Sequence, residues 1–229
     1  MFSLHEATER LYDVLSRYPR PGRVAGCPCC VSAEDQARLH RAPLRELVAE
    51  DVQRYASKAL TTWGTEDDLR HYLPRLLELV WELPVAPEIL LGKLAYAEWD
   101  RWPSDERDAL HAWLDAWWLD TLRSEHAWRA PSTLRAVARA GGSVEELLET
   151  LEQESAERAR PRSAALAVLE LLAYERKPVW LSEHAADIVS AWLATHAALL
   201  ERALGEAPAD DREHLRACLD ALLLRARDA

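Results

Sequence analysis

The run LRHYLPRLLELVWEL, residues 69–83, decides the fold class. Leu69, Tyr72, Leu73, Leu76, Leu77, Leu79, Val80, Trp81 and Leu83 recur at helical spacing, and they cover about half the circumference of a helix or more, where a surface helix of a bundle needs a stripe of roughly 100°. A helix that is apolar over so wide an arc has neighbours on two sides. Thr65 and Asp68 supply a cap just upstream, so a helix is predicted over 66–83. The segment 104–127 repeats the pattern with Leu110, Trp113, Leu114, Trp117, Trp118 and Leu122. Two such helices point to an all-α fold of layered antiparallel helices, either HEAT-like or an orthogonal multi-helix bundle. No fixed repeat period accompanies them, as a regular solenoid would require.

Outward from this run the helix signals continue to both ends of the chain. Ser3 with Glu6 is a capping-box pattern ahead of Leu4, Ala7, Leu11, Val14, Leu15 and Tyr18, giving a first helix over about 4–17. Ser32 caps a short helix that ends near His40, before Pro43. Val48, Val52, Tyr55, Ala56, Ala59, Leu60 and Trp63 form the stripe of a further helix, closed by Gly64 as a C-cap. Beyond the 66–83 helix, segments 88–101, 104–127, 132–140, 144–156, 162–175, 183–204 and 209–227 read as helices between prolines and the Gly141–Gly142 pair. No β-strand of useful length is expected. The chain reads as one helical domain, 1–229, in which 1–64 is an N-terminal subregion and 65–229 a helical array.

The net charge of −11 repels phosphate backbones, and the basic residues are scattered rather than striped, so nucleic-acid binding is not expected. No apolar run approaches the roughly 20 residues a bilayer demands, and MFSLHEATERLYDVL is amphipathic where a signal peptide would be basic and then apolar. A cytoplasmic protein that does not engage the membrane is the expectation. Only three of the 28 basic residues are lysine and asparagine is absent, a bias of GC-rich codons rather than of function.

GCPCCVS, residues 26–32, places three of the four cysteines within four positions of an irregular loop that also holds Pro19, Pro21 and Gly22. Loops this long in a compact helical protein are usually functional or disordered. Cys27 and Cys30 form a Cys-x-x-Cys pair, the spacing of zinc knuckles and equally of dithiol redox motifs. Redox motifs of the thioredoxin kind sit between a strand and a helix, and this chain offers no strand, which tilts the reading toward zinc. Cys29 is awkward as a third ligand because adjacent side chains diverge in an extended backbone. His71, ahead of His40, is the candidate to complete a shell of Cys27, Cys29 and Cys30. The alternatives left open are a thiol-based redox enzyme or sensor using Cys27 and Cys30, and a loop with no chemistry of its own. Cys218 shares a helical face with Leu215, Leu219 and Leu222 and reads as a core residue.

The remaining candidates have simpler explanations. Asp68 with His71 and Asp211 with His214 show an i, i+3 spacing used by di-iron bundles, but both pairs fall in first turns, where capping explains the Asp. His111 with Asp115 is no stronger. His196 lies on an apolar face and reads as a hydrogen-bonded core histidine. Six of ten tryptophans lie between Trp99 and Trp128; they fill a wide core or line a groove for a protein partner, with Trp118 at the exposed edge of its stripe. No phosphate-binding glycine loop, Gly-x-Ser-x-Gly elbow or His-Glu-x-x-His pair occurs, so no enzyme class is indicated.

The run YASKALTTWGTEDDLRHYLPRLLEL, residues 55–79, together with CPCCVS, resembles uncharacterised bacterial helical proteins. The resemblance covers about the first third of the chain and implies neither an activity nor a ligand. It does group the cysteine loop with His71. The whole sequence thus reads as a helical binding or scaffold protein with a metal-stabilised loop.

Overall fold

A computed structural model of the chain describes residues 2–157, 168, 183–206, 212–213 and 215–221. The protein is all-α, with helices packed on helices and no strand among the described residues. The helices are α1 (Leu4–Leu15), α2 (Ala33–Leu39), α3 (Ala49–Lys58), α4 (Glu66–Glu78), α5 (Pro87–Tyr96), α6 (Ser104–Arg123), α7 (Ala130–Arg139), α8 (Val144–Glu157) and α9 (Glu183–Glu206). Single 3-10 turns occur at Leu44–Glu46, Trp99–Arg101 and Ala127–Arg129. The helix expected at 162–175 lies outside the described residues, as does most of 209–227. No described helix is long and apolar enough to cross a membrane.

Local chemistry sets most helix starts. Capping boxes form at Ser3 with Glu6, Ser32 with Asp35 and Thr65 with Asp68, each pairing orphan donors reciprocally. Asp68 therefore serves the cap of α4, and Asp51 caps α3 by accepting from the Val48 N–H at 3.0 Å. Several ends come earlier than the apolar spacing suggests. The stripe through Ala59, Leu60 and Trp63 is buried at Ala59 and Trp63, yet α3 stops at Lys58. Leu60 adopts a left-handed φ of 63° and the chain doubles back, closing with Leu60 N–H to Trp63 O at 3.0 Å and Trp63 N–H to Lys58 O at 3.2 Å. Trp63 then meets Tyr55 edge-on at 5.4 Å. Burial was read correctly there, and periodicity was not its cause.

The chain divides into two compact units, Met1–Trp117 with Arg139–Gly141, and Trp118–Ala138 with Gly142–Ala229. In the first, α1 packs on α4, α2 on α3 and α3 on α5. Leu11, Leu69, Leu73, Leu76, Trp113 and Trp117 are buried at its centre, each worth about 1.5–3 kcal/mol in removed apolar surface. Its polar seam is a carboxylate: Glu106 is fully buried, accepts from Tyr18 Oη at 2.7 Å and lies 3.4 Å from Arg70 Nε, while the Arg70 guanidinium stacks 4.3 Å over Trp102. Tyr18, three residues past the end of α1 and at the start of the cysteine loop, is thereby anchored at its hydroxyl.

In the second unit α8 packs on α9. Trp118 is 1 % exposed and its indole donates to the Leu147 carbonyl at 3.0 Å, which corrects the expectation that it edges an open groove. Ala116, Trp117, Trp118 and Leu119 are all buried between exposed Asp115 and Asp120, so no edge of the apolar stripe falls at Trp118. Trp128, 66 % exposed, faces solvent. His196 is only partly buried, stacking 4.5 Å from Trp192 with Nε2 3.2 Å from Glu152, so the core placement expected for it does not hold.

Candidate metal centre

The loop between α1 and α2 is gripped from three sides, mostly at its main-chain oxygens. From α4, His71 Nδ1 lies 2.9 Å from the Tyr18 carbonyl. From α2, His40 Nε2 lies 3.0 Å from the Pro21 carbonyl, and Gln36 donates to the Val24 carbonyl. From α3, Lys58 Nζ donates to the Cys30 carbonyl at 2.7 Å, with Arg54 Nη2 on the same oxygen at 3.5 Å. The doubled-back turn after α3 completes the hold: Cys27 N–H donates to Thr62 O at 2.8 Å and Gly64 N–H to Ala25 O at 2.7 Å. Val24, the loop's apolar plug, is fully buried.

Two glycines are required for this closure. A Cβ on Gly26 would meet Val31 Cγ2 at 2.9 Å and the Trp63 ring at 3.1 Å. Gly64 sits at φ 84° with Tyr55 Oη, Val24 Cγ1 and Asp68 Cβ all within 3.2 Å of where its Cβ would be.

Inside the closed loop, Cys30 N–H and Val31 N–H both donate to the Cys27 carbonyl, at 2.9 and 3.0 Å. That tight turn replaces the extended backbone in which neighbouring cysteines would diverge. All three sulfurs converge: Cys27 Sγ is 2.9 Å from Cys29 Sγ, Cys29 Sγ is 3.6 Å from Cys30 Sγ, and the set lies within 4.8 Å. Cys29 is exposed and the other two are half-buried, all as free thiols. A tetrahedral zinc with Zn–S of about 2.3 Å holds its sulfurs roughly 3.8 Å apart, so a slight opening of the Cys27–Cys29 approach receives an ion. The trio is close enough to hold one metal ion.

The electrostatics of the trio are uneven. Cys27 is held below the ordinary thiol range by hydrogen bonding from the Cys29 thiol, then by backbone N–H groups of Cys29 and Cys30. Cys29 is pushed up to about 11, because its proton serves the Cys27 and Cys30 sulfurs. The bond thus shifts the two thiols in opposite directions, Cys27 down and Cys29 up.

The two histidines nominated with the cysteines do not join them. Among the described residues the group of converging donors is Cys27, Cys29 and Cys30 alone. His40 has both ring nitrogens against carbonyls, Nδ1 at 2.8 Å from Gln36 O and Nε2 at 3.0 Å from Pro21 O. His71 is held below its ordinary value chiefly by burial, which keeps the ring neutral and Nδ1–H donating to Tyr18. Both histidines act on the loop as fasteners, through contacts up to 53 positions apart that local spacing does not encode. Cys218 is fully buried in its helix and lies outside the cluster.

No family model matches this chain. Comparison with curated proteins and with solved structures likewise gives no match, so the functional reading rests on the geometry. A second concavity that the sequence did not signal, a cleft of about 440 Å³, is lined by Trp99, Asp100, Arg107, Asp108, His111 and Gly141. Its donors come from the 3-10 turn and α6, and only their spacing in three dimensions brings them together.

Proposed function

We propose that this chain is a helical binding module, working in the cytoplasm, whose Cys27–Cys29–Cys30 loop holds one thiophilic divalent ion, zinc foremost, as a clip. The observation that carries the reading is the convergence of three sulfurs within 4.8 Å on a turn pinned to α2, α3 and α4. Thiolates select soft and borderline ions, and closing a loop on a metal returns part of the entropy lost in ordering it. The three cysteines bind the ion as thiolates, so binding releases protons.

The test is metal content of protein purified without chelator. Zinc near one per chain is expected, lost from the Cys27→Ser/Cys30→Ser double variant and retained in Cys218→Ser. Chelation should expose residues 18–31 to protease while α4 and α6 stay protected. Metal below a tenth per chain, with the same protease pattern before and after chelation, sinks the clip.

The second reading, a thiol redox or sensing site, is favoured by the 2.9 Å approach of the Cys29 thiol to a Cys27 sulfur poised as thiolate. It predicts a marked order of alkylation in metal-free protein at pH 7, Cys27 first and Cys29 last, since a thiol of pKa about 11 is thiolate in roughly one molecule in 10,000 there. Equal rates at Cys27 and Cys29 count against it.

A further inference from the structure

The trio gives an ion three sulfurs on one side and leaves the other side to solvent. Cys29, the central sulfur, is exposed, while Cys27 and Cys30 are only half-buried, so the face of the triangle that the loop does not fill is open. Among the described residues no fourth His, Cys, Asp or Glu donor stands with them, and His40 and His71 each meet a carbonyl of the same loop, Pro21 and Tyr18. A divalent ion with three protein ligands and one open position is the arrangement in which zinc binds and activates an outside group rather than merely bracing a fold.

Building on the metal reading above, we propose that the fourth position is filled from outside the chain by a thiolate. The charge around the trio supports that choice over an imidazole or a water. Lys58 reaches the Cys30 carbonyl at 2.7 Å and Arg54 reaches the same oxygen at 3.5 Å, placing an ammonium and a guanidinium beside the Cys30 backbone, the second shared with Asp35 at 3.4 Å. Three thiolates on a divalent ion carry one net negative charge and four carry two, and these cations offset the added charge. The step is a ligand exchange with no change of oxidation state. The incoming thiol loses its proton to solvent, its sulfur bonds to the ion, and the water it displaces departs. The bound sulfur remains a thiolate at neutral pH, which is the nucleophilic form.

The thiol has two possible sources, a small soluble thiol or a cysteine of another chain, and one experiment separates them. The full-length protein is loaded with Co²⁺ under argon, and its thiolate-to-cobalt charge-transfer absorption is followed as reduced glutathione is added. For a small thiol the band grows by about a third, from three thiolates to four, saturably and with the chain still monomeric by native mass spectrometry. For a cysteine of a second copy the four-thiolate intensity is present before any thiol is added, scales with chain concentration and accompanies a metal-bridged pair. Lys58→Gln, which keeps a donor for the Cys30 carbonyl but removes the charge, should weaken glutathione uptake several-fold. A Co²⁺ spectrum that is tetrahedral, monomeric and indifferent to glutathione overturns the open position while leaving the metal clip standing. Failure of Co²⁺ to bind at all overturns both.

Discussion

The cysteine loop and the tryptophan-lined core around α6 are held by opposite means within one chain. Trp113 is almost fully buried, stacks 5.2 Å from Trp117 and donates its indole N–H to Thr8 Oγ1 at 3.1 Å. Its stability is a sum over apolar area and is not tied to any one bond. The loop has one fully buried apolar residue, Val24, and otherwise depends on individual hydrogen bonds from His71, His40, Gln36 and Lys58. A region held by area resists small changes of condition. A region held by a few polar contacts, each worth about 0.5–1.5 kcal/mol, responds to pH and ligands and so is the place for a regulated site.

The contrast is broken most severely from the core side. Trp113→Ala should cost about 4 kcal/mol, read as a large fall in the urea midpoint, because it leaves a cavity and removes the indole donor from Thr8 Oγ1, whose own bond to the Leu4 carbonyl remains. The same variant, at temperatures where it is folded, should take up metal as the parent does. If it lost metal binding while folded, the two regions would not be independent and the comparison would fail.

A smaller effect is expected where the regions meet in the backbone. Gly64→Ala forces a side chain onto φ 84° and into Tyr55 Oη, Val24 and Asp68, for about 2 kcal/mol. Much of that loss should appear in the loop, as faster hydrogen exchange at Cys27 N–H, whose acceptor is Thr62 in the same turn. Uniform slowing or no change at that amide would show that the turn does not support the loop.

The smallest effect is in pH. His71 in place binds a proton less readily than a histidine of the unfolded chain, whose pKa is about 6.5. Its contribution is therefore complete above about pH 6.5 and is lost as pH falls below it, because the unfolded state then holds the extra proton. Protection of residues 18–25 against hydrogen exchange, taken relative to the intrinsic rate at each pH, should fall between pH 7 and pH 5, while that of the α6 amides does not. His71→Gln, which retains a donor for the Tyr18 carbonyl, should flatten that dependence; an unaltered dependence would assign it elsewhere.

The same division explains what could be read from the sequence. Helix starts were legible at Ser3, Ser32 and Thr65 because a capping box is complete within four residues. The α3 end was not, since Trp63 is buried by the folded-back turn and by Tyr55 at a spacing that imitates one more helical turn. Trp118 falls inside a run of four consecutive buried residues, Ala116 to Leu119, so the apolar spacing does not mark where the stripe ends. In the loop, Cys-x-x-Cys announced that Cys27 and Cys30 would face one another, whereas the recruitment of Cys29 follows from a turn whose hydrogen bonds the spacing does not specify. His71 and His40 were selected for being near in sequence or polar in face, and their real partners are carbonyls of Tyr18 and Pro21.

Those partners are oxygens that every amino acid carries. The helices hold the loop largely by its path, and the side chains of Tyr18 and Arg20 add to the grip, through Glu106 at 2.7 Å and the His40 carbonyl at 2.6 Å. What such a grip does not forgive is a change of count. Removing or adding one residue between Tyr18 and Val24 slides each later oxygen along by one position, about 3.3–3.8 Å, and takes it out of its fastener's reach. Length, more than composition, is what this grip fixes.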